Sequence, residues 1–363
     1  MHSRLTHKRL NMTEILTRDW LTNHSLSTNY HHVSDSSTHI MRMPKVIENK
    51  YFSLFEVNKE QKSNELFVAN IPDAVAAGGD RGIGGSCVMT YDDLFLGDVS
   101  HYTGEAYGLA RAGKRLSPVQ ETTGYFPQKW GGHNYFHWLL TSMPKLALLI
   151  TTGEIEKCRY LVANSYEKRF VREGLDFLGI KEDRILSLAK NNAFKFRNLI
   201  VTANVGYRVN PDKHTVNLIR TIFSKAILPQ GNFRIFLRRT HSRRIANEKP
   251  VFDILKSRGF MIIETDNMSF LEQARLFSQA SCVVASHGAG EANVVFCHPD
   301  TKFLEIFPPT WIGQCYWYLA DSANLDYYYL VGEGKYDDRV ESNFLASNGA
   351  ADAIVDTVKL NLI

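Results

Sequence analysis

Between Val216 and Ala323 short apolar runs alternate with amphipathic ones, and this rhythm limits the possible folds more than any other feature of the chain. Apolar spacing predicts helices at Val216–Ile227, Pro250–Ser257, Phe270–Ser278, Glu291–Phe296 and Gly313–Ala323. Strands are expected between them at Arg234–Leu237, Met261–Glu264, Cys282–Ala285 and Phe303–Ile306. Ser269, with Glu272 three residues on, adds a capping box ahead of the third helix. Strands joined through helices pair in parallel, because the crossover returns the chain to its starting end. In such sheets ligands bind beyond the carboxyl ends of the strands. Arg238, His287 and Glu305 fall at three of those ends and are expected on one edge.

The first half is less regular. Tyr135–Ile150 has helical spacing that puts Phe136, Leu139, Leu140 and Met143 on one face. A strand at Tyr160–Ala163, a helix over Glu167–Leu178 stopped by Gly179, and a strand at Leu199–Thr202 make half of an open α/β layer. From Tyr51 to Tyr125, runs such as YFSLFEV, ELFVANI, SCVMTY and LFLGDV, broken by GGDRGIGG, read as a meander of short strands. Residues 1–45 are polar and read as an extension. The division expected is therefore 1–45 extension, 46–210 first α/β unit, 211–335 second α/β unit, and 336–363 a segment packing back as a helix.

At 363 residues the chain is long enough for two units. A net charge of +4 is too mild to call for nucleic acid or an anionic membrane. Five cysteines without C-x-x-C spacing fit a reducing compartment better than a disulfide framework. Charged residues interrupt the first twenty positions, and Leu139–Ile150 is too short to span a bilayer. A cytoplasmic protein, at most peripheral to the inner face of a membrane, is expected.

Four arginines within seven residues, Arg238, Arg239, Arg243 and Arg244, leave the strand RIFL. They form either a solvated basic face or a fork set for a diphosphate. His287-Gly288-Ala289-Gly290 leaves the strand CVVAS, where backbone N–H groups and a helix start can approach an anion. Glu305, at the next strand end, is placed to accept ribose hydroxyls. In the first half, GGHNYFHW offers His137 as a general base and Trp138 as a platform for a sugar, against the plainer reading of core packing. His133 and His137 lack the glutamate or third ligand that zinc requires, and there is no D-x-D to hold a metal on a diphosphate.

NYFHWLLTSMPKL, RRTHSRRIANE, SHGAGEANVVFCHP and FLEIFP, in this order between Gly131 and Pro309, resemble the motifs of glycosyltransferase family 61. The family includes bacterial capsular polysaccharide enzymes, plant xylan transferases and animal O-linked N-acetylglucosaminyltransferases. The resemblance implies a GT-B-type fold, with two Rossmann-like domains whose parallel sheets face across a cleft. It also implies a nucleotide-sugar donor, inversion at the anomeric carbon, and no metal or other cofactor. Carried onto this chain, the diphosphate arginine falls on Arg238 or Arg239, with Arg243 and Arg244 in the same loop. The glycine turn falls on His287, Gly288, Ala289 and Gly290, the following asparagine on Asn293, and the acidic residue on Glu305. His133 and Trp138 go to the acceptor, a glycan or lipid-linked glycan. Where members often carry a carboxylate four residues after the histidine of the FHW motif, this chain has Thr141, so the base becomes His137 or a carboxylate from elsewhere. The expected function is inverting transfer from UDP-xylose or UDP-N-acetylglucosamine in surface or capsular polysaccharide synthesis. The alternative is a nucleotide-sugar-binding or scaffold protein that has lost the base.

Overall fold

The computed structural model describes residues 13–45, 47, 51–78, 85–101, 104–128, 130–188, 192–207, 210–309, 312–333 and 352–362. The second half forms an all-parallel sheet of Phe233–Leu237, Phe260–Ile263, Ala280–Ser286, Lys302–Phe307 and Asp326–Val331. Their spatial order is second, first, third, fourth, fifth. In that doubly wound order the chain leaves the first and third strands in opposite directions, and the crevice opens between their carboxyl ends. Helices Glu248–Ser257 and Phe270–Ser278 form where apolar spacing places them, and Ser269 and Glu272 make the reciprocal capping box. Helix Lys213–Ile222 starts three residues earlier than its spacing predicts, because Asp212 and Thr215 cap it. The fifth strand is an addition: Tyr327, Tyr328 and Tyr329 are good strand formers but give no clean alternation to read.

The first half is α/β but not a plain parallel layer. Ile185–Ser187, Tyr160–Ala163, Thr123–Tyr125 and Asn198–Thr202 pair in parallel, and Leu66–Pro72 and Tyr30–Ser34 continue the sheet antiparallel. A five-stranded sheet of Glu14–Ile15, Phe95–Leu96, Ser86–Met89, Val75–Gly78 and Asn192–Lys195 lies beside it. YFSLFEV is not a strand: Phe52–Val57 is helical, with Phe55 buried among Trp317, Tyr327 and Tyr329. The turn GGDRGIGG falls mostly outside the described residues.

Residues 13–45, expected as an extension, are built into the fold. Trp20 and Leu21 on helix Thr17–Asn23 are fully buried, Thr17 donates to the Asp98 carboxylate, and Tyr30–Ser34 is a sheet strand. Polar composition misleads here because a two-residue apolar anchor is enough to fix a short edge element. At the other end, Asp352 binds Arg244 and Ala353 pairs with the backbone at Arg244 and Ala246. The expected C-terminal helix is a short 3-10 turn, Lys359–Leu362, and 336–351 lie outside the described residues. No helix among the described residues is long and apolar enough to cross a membrane. The five cysteines are unpaired.

The two halves share one apolar core. Trp138 lies 5.3 Å, ring to ring, from both Phe170 and Phe270, and Phe270 in turn meets Phe223 and Phe296. Gly174 makes room for it, since a Cβ there would sit 2.5 Å from the indole. Truncating Phe270 to alanine removes the ring on which both halves close, so Phe270→Ala is expected to cost about 3–5 kcal/mol in urea unfolding.

Candidate active site

The crevice predicted by the strand order is present. A cavity of about 410 Å³ opens between the carboxyl ends of Phe233–Leu237 and Ala280–Ser286. The arginine loop (Arg238 to His241), the glycine corner and the loop Glu264 to Met268 form one side. His133, Asn134, Tyr135, Arg169, Phe170 and Glu173 of the first half form the other.

The four arginines divide. Arg239 packs against the glycine corner so closely that a Cβ on Gly288 would lie 1.5 Å from its Nη1. Its Nε donates to the Ser242 carbonyl at 2.7 Å, and burial, followed by the neighbouring Arg243 charge, lowers its pKa. A half-buried guanidinium is thus aimed along the cavity wall. Arg238 also lines the cavity, but its fork is taken by Glu248 (2.9 and 2.8 Å) and Glu264 (2.7 Å). Glu248, in the first turn of its helix, therefore holds Arg238 in place. Arg244 turns away to the Asp352 carboxylate and does not line the cavity. Arg243, held at φ 58°, acts electrostatically on His287, Glu291 and Glu305 beneath the corner.

At the corner Gly288, Ala289 and Gly290 line the cavity, and Ser286 joins them. Ser286 Oγ is buried and makes no hydrogen bond to any described residue. Gly288 N–H donates to Glu291 Oε2 at 2.8 Å, and its carbonyl accepts from Tyr316 Oη at 2.6 Å. Residues Ala289–Phe296 begin a 3-10 helix, whose first N–H groups have no partner within the helix.

His287 and Glu305 are not on the wall. Both are buried: His287 Nδ1 bonds the Glu305 carboxyl group, and Tyr327 Oη donates to Glu305 Oε2 at 2.6 Å. Burial drives His287 well below the usual imidazole range, with Arg243 and Arg239 adding to the shift. Burial and then the Glu291 charge drive Glu305 well above the carboxylate range, so burial favours the uncharged form of each, and both support the corner from below. By distance alone His287, Glu291 and Glu305 could hold a divalent ion, their ligand atoms lying within 4.8 Å of one another. The set is sealed beneath the corner, beside two arginines, and its carboxyl charges are suppressed. Asn293 is also internal: its amide donates to Gln273 (2.8 Å) and Gly290 (3.0 Å) and accepts from Tyr135 Oη (2.6 Å). It joins the two halves rather than facing the cavity.

On the facing wall, the structure separates the aromatic motif into lining and core. His133 and Tyr135 line the cavity; Trp138 is buried and His137 does not line it. His137 instead packs against Trp130, with ring centroids 5.0 Å apart. Trp138–Ser142 is a π-helical turn, a form often found near functional sites. Within it Thr141 is buried and donates to the His137 carbonyl at 2.5 Å, so its hydroxyl is spent inside the helix. The residues missed from sequence are Ser286, Asp266 and Glu173. Glu173 accepts from Arg169 Nε (2.6 Å) and, across the two halves, from the Phe270 N–H (2.7 Å). Asp266 lines the cavity from the turn after Phe260–Ile263, and that strand end was the available signal.

Burial pushes the Glu291 carboxyl up to about 8. An unfolded glutamate titrates near pH 4.3, so between roughly pH 4.3 and 8 the native state binds the extra proton and stability falls as pH rises. Glu291→Gln is expected to flatten that slope in denaturation measured from pH 4 to 9, with the variant gaining on the wild type towards the alkaline end.

Two comparisons with known proteins bear on this site. The family model described as Glycosyltransferase 61 matches residues 135–304, from the start of the Tyr135 helix into the strand after the glycine corner. Over 101 residues the chain is 32% identical to a β-1,2-xylosyltransferase of Oryza sativa subsp. japonica, a match covering 26% of this chain and 19% of the rice protein. The chain thus matches about a fifth of the length of that relative. The matched stretch, which contains the glycine corner, the arginine loop and the facing wall from Tyr135 onward, is thus similar to glycosyltransferase family 61.

Proposed function

We propose that the chain is a glycosyltransferase that moves a sugar from a nucleoside diphosphate onto a hydroxyl of a glycan or lipid-linked glycan acceptor. The observation that carries this reading is Arg239 lying on Gly288 at the mouth of the strand crevice. The guanidinium, the Ser286 hydroxyl and the first N–H groups of the Ala289 turn line one surface where diphosphate oxygens can be met by donors. Arg239 takes the role of a metal in stabilising the departing diphosphate. With Glu305 sealed below, the ribose hydroxyls fall to Asp266, whose carboxylate has no hydrogen bond among the described residues. Likeness to a xylosyltransferase favours xylose over N-acetylglucosamine as the donor sugar. Attack comes from the first-half wall, on the face opposite the diphosphate, and inverts the anomeric carbon. Surface polysaccharide synthesis at the cytoplasmic side of a membrane is the process this activity suits.

A second reading, a nucleotide-sugar-binding protein without turnover, is favoured by Thr141, whose buried hydroxyl cannot act as a base.

A ligand that binds only the folded state raises its melting temperature, so UDP should do so here. Arg239→Ala should weaken UDP binding by about 10- to 100-fold, the worth of a hydrogen bond to a charged group. Arg244→Ala, whose lost side chain hydrogen-bonds Asp352 alone among the described residues, should bind UDP like the wild type. Equal affinity in both variants would remove Arg239 from the site.

A further inference from the structure

Thr141 stands where a carboxylate base was expected, and the residues on the facing wall narrow what replaces it. A base for inverting displacement must sit across the sugar from the leaving group, on the side opposite Arg239 and Gly288. That wall is made of His133, Asn134, Tyr135, Arg169, Phe170 and Glu173. Arg169 offers only hydrogen-bond donors, and Tyr135 donates its hydroxyl to Asn293 and is pushed further from ionisation by burial. Both Glu173 oxygens are engaged, one by Arg169 and one by the Phe270 N–H. His137, the expected base, packs on Trp130 off the cavity. His133 remains.

We propose, resting on the transfer reading above, that His133 is the general base of the reaction. Its imidazole nitrogen takes the proton of the acceptor hydroxyl as that oxygen bonds the anomeric carbon. The bond from that carbon to the diphosphate breaks, and its electron pair goes to the phosphate oxygen beside Arg239. The imidazolium then releases the proton to solvent, to which His133 is exposed.

Two further observations support the assignment. His133 stands on a fixed turn: its N–H and that of Asn134 both donate to the Trp130 carbonyl, at 3.3 and 3.0 Å. Gly131 is pressed so closely on Ser142 and Asn164 that a Cβ would lie 2.2 Å from Ser142 Oγ. The imidazole also has no hydrogen bond among the described residues, while partial burial and the Lys168 charge lower its pKa and favour the neutral form that accepts a proton.

The test measures UDP release from UDP-xylose and UDP-N-acetylglucosamine, with water as acceptor, alongside UDP affinity and melting temperature. His133→Asn and His133→Ala should each lower kcat by about 100-fold or more. UDP affinity and melting temperature should stay at wild-type values. Wild-type kcat/KM should fall along an acid limb that lies below the ordinary histidine value of about 6.5, as the lowered His133 pKa requires, and this limb should vanish in both variants. Wild-type rates in both variants, with UDP still bound, would overturn the role of His133 alone. UDP binding by the wild type without release from either donor would overturn the transfer reading and the base with it. Absence of UDP binding by the wild type would overturn the donor site itself.

Discussion

The site rests on a contact with almost no tolerance: a guanidinium lying where the side chain of residue 288 would be. Gly288 is in extended backbone, which any residue adopts, so its glycine is required by space and not by conformation. A hydrogen in place of a methyl lets Arg239 cross the end of the Ala280–Ser286 strand. Everything beneath serves this contact. Glu291 holds the Gly288 N–H, Tyr316 holds its carbonyl, and the His287–Glu305–Tyr327 chain fills the floor with neutral hydrogen-bonded groups. A charged floor would compete with the anion for the arginine; burial disfavours charge there.

Much of this was legible in the sequence because it depends on local periodicity. Four strands of the second sheet and the Phe270–Ser278 helix follow from apolar spacing and one capping box, and the strand ends then bring Arg239 and the glycine corner together. Other features depend on long-range pairing that spacing does not encode. Arg238 and Arg244 look like Arg239 in the chain, yet Glu248, Glu264 and Asp352 neutralise them, one from a neighbouring helix, one from a strand end and one from beyond residue 350. The same holds for Trp138: an aromatic beside a histidine reads equally as platform or core, and the answer lies in Gly174 and Phe270, far along the chain.

Glu305 shows a different limit. A carboxylate at a strand end is a sound reading for ribose recognition, but only where the strand end is open. Here the neighbouring strand Asp326–Val331, unrecognised in the sequence, brings Tyr327 over Glu305 and turns it into a buried acid. One missed edge strand thus changed the role of a correctly placed residue. The polar N-terminus erred the other way, since Trp20 and Leu21 anchor it despite its composition.

The Tyr135–Asn293 bond and the Glu173 carboxylate on the Phe270 N–H stitch the acceptor-side wall to the donor-side wall, directly over a shared aromatic core. Parting the walls as rigid bodies would strip these polar groups of partners and wet the Trp138–Phe270 interface together. The crevice is therefore a slot of fixed width, its two sides tied to each other at the base and not merely aligned across a gap.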